Sequence, residues 1–244
     1  MPIYIFMINY HQKLIYIHPP KTGGHSIIAL WGKTSPMPES EGRYESQPVH
    51  HSIRFYEKFK FDLNHYFIFA TTRNPWDRVV SAYCWSKVYG GGRLPKNIEG
   101  KDCSFEEYIE WLISSRINIS HDRNNVFWSH PNSILDWVTI NDQVSVDYFC
   151  NIHTFKEDFQ FVLDTLGTNK ILPHANKSSH DDYRKYYTDK LAEKVEFSFK
   201  KDIEYFKYKF DDKNYSDFNR IVNPEKIEKY KRLRQLLITG FTKL

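Results

Sequence analysis

Apolar and polar positions along the chain first mark out two short runs that end abruptly. Leu14 to His18 (LIYIH) is apolar and β-rich, and Pro19-Pro20 cannot continue a ladder, so the pattern predicts a buried strand. Tyr66 to Thr72 (YFIFATT) predicts a second one. Each runs into a helical pattern. Ser26 to Trp31 (SIIALW) follows the first strand, and Trp76, Val79, Val80, Tyr83 and Cys84 recur on a helical period after the second. Asn74-Pro75 opens that second helix, as an N-cap with proline at the first helical position.

Two capping boxes are predicted further along, Ser104-Phe-Glu-Glu107 and Thr154-Phe-Lys-Glu157. The first opens a helix with Phe105, Tyr108, Ile109 and Leu112 inward. The second opens a helix through Phe159, Val162, Leu163 and Leu166 that Gly167 closes. Thr188 caps a longer helix with Leu191, Val195 and Phe199 at four-residue spacing, and a last helix runs from Asn223-Pro224 to about Gly240. Residues 33 to 48, rich in Pro, Ser, Gly and Glu, read as a surface loop, as do residues 88 to 103 with Gly90-Gly91-Gly92. Strands separated by helices predict an α/β class, a central parallel sheet flanked by helices. With no repeat and no low-complexity linker, a single domain over residues 1–244 is expected.

Composition changes this picture little. Of 244 residues, 41% are hydrophobic and 26% charged, which supports a globular core. A formal charge of +4 suits an anionic ligand and falls short of the clustered charge that marks a nucleic-acid binder. Cys84, Cys103 and Cys150 are scattered with no CxxC, against a disulfide framework or a cysteine zinc site and for a reducing compartment. The opening MPIYIFMINYHQKLIYI lacks a basic leader and a cleavage site and is broken by Asn9, His11, Gln12 and Lys13, so neither a signal peptide nor a membrane span is expected. The expectation is a soluble, cytoplasmic protein, with no integral membrane association and no signal of an oligomeric state.

The chemistry concentrates at the two strand-to-helix junctions, where parallel α/β sheets bind ligands. In PPKTGGHS the glycines allow backbone N–H groups to converge on an oxyanion, Lys21 brings a full charge, and Thr22 and Ser26 bring hydroxyls. The lysine precedes the glycines, unlike a Walker loop, so it approaches from the strand side. At the second junction Arg73 can grip an anion with a bidentate fork, and Ser81 lies two turns into the helix. The competing reading of that stretch is a surface salt-bridge cluster of Arg73, Asp77 and Arg78. Both junctions together point to a ligand with two separate anionic groups.

PKTGG after one strand and RNPWDRVVSAY after another resemble the sulfotransferase superfamily, in the branch that includes carbohydrate sulfotransferases. HTFKEDFQFVLDTLG (153–167) and the segment 172–210 carry the resemblance on, so that it covers roughly residues 13 to 210. It implies a P-loop-like nucleotide-binding fold and 3′-phosphoadenosine 5′-phosphosulfate (PAPS) as co-substrate, with no metal. By the same resemblance Lys21, Thr22, Gly23, Gly24, His25 and Ser26 face the phosphosulfate, while Arg73 and Ser81 hold the 3′-phosphate. Arg184 and Lys185 in DYRKYY are candidates for a further 3′-phosphate or adenine contact, and His174 and Asn176 for lining the site. His25 stands where the family usually has threonine, and Lys156 where it often has an acid.

Sulfuryl transfer also calls for a base, which histidine can supply near neutral pH. PVHHSIRFYEKF (48–59) lies between the two junctions, and His50 with Ser52 matches the family branch's His-x-Ser/Thr; His51 is the near alternative. His50-His51 with distant His65 has no zinc spacing. The resemblance thus implies transfer from PAPS to an acceptor hydroxyl, a sugar preferred, with Lys21 aiding the leaving group. Two rivals stand beside it: a non-catalytic binder of nucleotide or sulfated glycan, and a nucleotide-dependent kinase, for which no magnesium-holding carboxylate set is evident.

Overall fold

The computed structural model describes residues 8–31, 50–58, 60–89, 103–115, 132–171, 180–215 and 217–241. The loop expected at 33–48, the Gly90-Gly91-Gly92 run, His174 and Asn176 lie outside the described residues, as does the side chain of His25. The predicted strands and helices emerge as β2 (Leu14–Ile17), α1 (Gly24–Trp31), β3 (Phe67–Thr72), α3 (Pro75–Tyr89), α4 (Phe105–Ser114), α6 (Phe155–Leu166), α7 (Asp189–Ser198) and α9 (Pro224–Phe241). Elements that the pattern did not predict are β1 (Ile8–Asn9), α2 (Ile53–Lys58), α5 (Ile134–Val138), the hairpin β4 (Thr139–Ile140) and β5 (Gln143–Val144), β6 (Tyr148–Asn151) and α8 (Lys200–Phe206).

The main sheet has the order β1-β2-β3-β6, with β1 antiparallel to β2 and the other pairs parallel. Every residue of β2, β3 and β6 is buried, as expected of strands covered on both faces. Alternate residues divide between two cores. Leu14, Tyr16, Phe67, Phe69, Tyr148 and Cys150 pack with Ile27 of α1, Phe159 and Leu163 of α6 and Ile227 of α9. Ile15, Ile17, Ile68, Ala70 and Phe149 face the larger core with α2, α3, α4, α7 and α8. β6 is four residues long, too short for periodicity to reveal, and its ladder with β3 decides it. Its far side is covered by residues 220–222, through Phe149 N–H to the Arg220 carbonyl and an antiparallel bridge from Tyr148 to Ile221.

Local chemistry sets the helix ends. The Ser104 capping box forms as predicted. At α6 it does not: Thr154 makes no cap bond, and its hydroxyl instead donates to Asp158, which also accepts from Asn151 N–H and from Arg220. A 3-10 turn over Ile152–Thr154 puts Thr154 out of capping geometry, and no local pattern foretells it. Gly167 ends α6 in the left-handed region at φ 62°, its N–H directed at the carbonyls of Asp164 and Leu163. The helix predicted after Thr188 is α7, which ends at Phe199, and the separate α8 follows directly.

α8 has a task of its own. Asp202, fully buried in its first turn, accepts from the N–H groups of Ile134 and Leu135 at 2.6 and 3.0 Å and lies 3.9 Å from Arg78. Arg78 also donates to the Asn132 carbonyl. Arg78 therefore pins α3 to α5 and α8 and is not part of a surface cluster with Arg73. Replacing Asp202 by alanine leaves Arg78 and two amides without that carboxylate, and should cost about 3–5 kcal/mol in urea unfolding. Burial, opposed by Arg78 and the two amides, raises Asp202 from 3.8 to about 6. Its contribution to stability is therefore full below the unfolded value and is lost as pH rises through about 6, a slope that Asp202→Asn should flatten.

Candidate functional site

The parallel register places the ends of β2, β3 and β6 along one edge, with Ile17 opposite Ala70 and Thr72 opposite Asn151. Three turns leave that edge together. The first, residues 18–23, packs on the third, because a Cβ at Gly23 would fall 2.6 Å from Ile152 Cδ1. Gly23 has φ 83°, a conformation that glycine adopts at no steric cost. Lys21 also has a positive φ, 67°, an outlier for a side-chain-bearing residue of the sort that concentrates at functional turns. Gly24 begins α1 against the ring of His18, where a Cβ would come within 2.2 Å of Nε2.

A buried chain of hydroxyls holds the first turn. Thr22 donates to the Pro19 carbonyl at 2.7 Å, so it must accept from Thr71 at 2.5 Å, and Thr71 in turn accepts from Tyr16 at 2.8 Å. The Thr22 hydroxyl is thereby engaged inside the protein. Ser26 is buried in the first turn of α1, its N–H directed at the Gly23 carbonyl.

The second turn brings Arg73 to the first. Its Nη1 donates to the Lys21 carbonyl at 3.3 Å, while Nε and Nη2 clasp Asp77 at 2.8 and 2.9 Å, one helical turn on. Burial would raise the Asp77 carboxyl, but the charge and hydrogen bonds of Arg73, with His153 and His180 beside it, hold it below the ordinary carboxylate range. His153 Nε2 lies 3.3 Å from Asp77, and burial pushes this imidazole down to about 4, so it is neutral at pH 7. His180 donates from Nδ1 to the Asp181 carbonyl and presents Nε2 to Arg73 at 3.2 Å.

Ser81 is buried on α3 in the four-residue series Asp77, Ser81, Trp85, which shares one helix face, and Arg73 precedes the helix four residues before Asp77. Lys21 Nζ lies 5.1 Å from the centre of the Trp85 ring. Burial, reinforced by the positive charge of Arg73 and eased by Cys84, lowers Lys21 to about 7.

The two neighbouring histidines separate. His50 donates from Nδ1 to the His18 carbonyl at 2.6 Å, and its ring is 4.3 Å from that of His18. His51 is buried, flat on Phe55 at 3.7 Å and edge-on to Tyr56. Arg184 is held by Asp182, Asp211 and the Asp212 carbonyl, while Lys185 is largely exposed near Asp181. Arg184 borders a cleft of about 500 Å³ with His153, Tyr183, Lys213 and Tyr215. His153 joins that cleft to Asp77, its ring stacked on Tyr215 at 4.6 Å. His18, His180, Lys213 and Tyr215 carry no motif of their own. The signal within reach was the four-residue spacing that puts Asp77 on the face of Arg73.

A family model, described as the sulfotransferase family, matches residues 4–219. The chain belongs to the sulfotransferase family. No curated protein and no solved structure matches it significantly. The chemistry of a sulfotransferase is sulfuryl transfer, and the family implies a nucleotide co-substrate and an acceptor hydroxyl. Among the described residues of this sulfotransferase, no group of three His, Cys, Asp or Glu is placed to hold a metal ion, and no helix is long and apolar enough to cross a membrane.

The half-desolvated Lys21 should cost this sulfotransferase stability. An unfolded lysine keeps its proton up to 10.5, whereas the folded one releases it near 7. Stability therefore rises with pH between those values. Lys21→Met keeps the backbone strain and removes the charge, so its melting temperature should exceed the wild type at pH 7. The gap should narrow as pH approaches 10, read by calorimetry.

Proposed function

We propose that the protein transfers the sulfuryl group of PAPS to an acceptor hydroxyl, with a sugar the preferred class. The observation that carries this reading is the 3.3 Å link from Arg73 to the Lys21 carbonyl, which joins two anion-seeking junctions into one site. A donor with phosphate groups at both ends of its ribose meets both. The glycine turn fits the phosphosulfate end, since side chains are excluded at Gly23 and Gly24 and backbone can approach an oxyanion closely at the start of α1. Arg73 and Ser81, with Asp77 fixing the guanidinium plane, suit the 3′-phosphate. The adjoining cleft, with Arg184 on its rim, offers room for the nucleoside.

The donor supplies an activated sulfuryl group that leaves with its electron-poor sulfur passing to the acceptor oxygen. Lys21 neutralises charge that builds on the phosphate oxygen left behind. Burial and Arg73 lower the amine to about 7, and an anion beside it raises that value again, so Lys21 carries its charge when the donor is bound. His50 takes the acceptor's proton. Its Nδ1 is engaged as donor, so Nε2 carries the lone pair, whereas His51 lies in an aromatic stack.

A thermal-shift panel tests the donor. 3′-Phosphoadenosine 5′-phosphate should raise the melting temperature and ATP should not; the reverse would overturn the reading in favour of a kinase. With labelled PAPS and a panel of hydroxyl acceptors, Lys21→Ala should lower turnover by about 10²–10³-fold. Stabilisation by the nucleotide with no transfer to any acceptor would point to the non-catalytic binder.

A further inference from the structure

His18, the residue after β2, does not belong to the anion-binding set, yet it is buried at the point where that set meets His50. One side of its ring stacks on Tyr16, 5.4 Å away at 20°. Its edge fills the space above Gly24 that any side chain there would need. The other neighbour is the ring of His50, at 4.3 Å. Tyr16 is tied through Thr71 to Thr22. The His18 ring is thus gripped by the strand, by the first turn of α1 and by the anchored glycine turn.

We propose that His18 is a positioning residue that fixes both the orientation and the tautomer of His50. The inference rests on the assignment of His50 as the base. A carbonyl oxygen only accepts, so the 2.6 Å contact to His18 O requires Nδ1 of His50 to carry the hydrogen. The lone pair is then confined to Nε2, on the far side of the ring. The His18 imidazole supplies the surface against which that ring rests. Lys21 follows His18 by three residues, a span of at most about 10 Å. Base and leaving-group cation therefore hang from one short segment whose first residue follows a paired strand. Their separation is set by covalent chain and by buried contacts, which in-line displacement requires.

The tautomer can be read without any turnover, by long-range proton–nitrogen NMR correlation of the imidazole rings in nitrogen-15-labelled protein. His50 should show a protonated Nδ1 and a bare Nε2 in the wild type. His18→Ala keeps the backbone carbonyl, so His50 Nδ1 should stay protonated, while loss of the ring lowers labelled-PAPS transfer by about 10–100-fold and the stabilisation by 3′-phosphoadenosine 5′-phosphate persists. His18→Phe restores a flat ring and should return the rate to within about threefold of wild type. A wild-type His50 protonated at Nε2 overturns the proposal, as does a His18→Ala enzyme with an unchanged rate. If His18→Ala fails to fold, the wild-type tautomer and the His18→Phe rate decide the matter. A wild type that transfers nothing refutes the assignment of the base instead, and leaves the tautomer to be judged by the spectrum.

Discussion

The guanidinium of Arg73 is the contact on which the rest of the site depends. It leaves β3 at the sheet edge, spends two N–H groups on Asp77 and reaches back with a third to the carbonyl of Lys21. A fourth meets His180. Three stretches of chain, remote in sequence, are thereby referred to one planar, permanently charged group. Burying such a cation is costly unless it is paired, and Asp77 is the paired anion. The carboxylate takes the Nε–Nη2 fork and fixes the guanidinium plane, and these four contacts leave one Nη1 hydrogen over.

Around that group the protein keeps positive charge only partly compensated. Lys21 is lowered by burial and by Arg73 itself, so two cations share a site with one well-formed ion pair. This arrangement is unfavourable by itself, and an anion between the two cations would relieve it. On the function proposed, the stability forgone at Lys21 is electrostatic free energy that a polyanionic donor would recover on binding. The neutral state of His153 fits this balance, since a second cation against Asp77 would loosen the grip on Arg73.

Much of this was legible in the residues. Pro19-Pro20, Asn74-Pro75 and Gly23-Gly24 announced where strands stop and helices start, because each acts through its own backbone. Asp77 could be placed on the face of Arg73 by helical spacing alone. What local pattern misread was whatever depends on partners. Thr154 read as a cap and is instead a donor to Asp158, and Arg78 read as a neighbour of Arg73 but points to Asp202. β6 carries no signal of its own, because four buried residues become a strand only beside β3.

By itself the sequence determined the two strand-to-turn-to-helix junctions and the charges they carry, since glycine, proline and capping residues act within a few bonds. It also fixed the family, through motifs set in order along the chain. Tertiary structure alone decided that the two junctions touch, because that depends on the parallel register of β2, β3 and β6. It decided as well the different surroundings of two adjacent histidines. His50 meets a carbonyl and His51 an aromatic stack, and only the folded surroundings distinguish two identical side chains one residue apart.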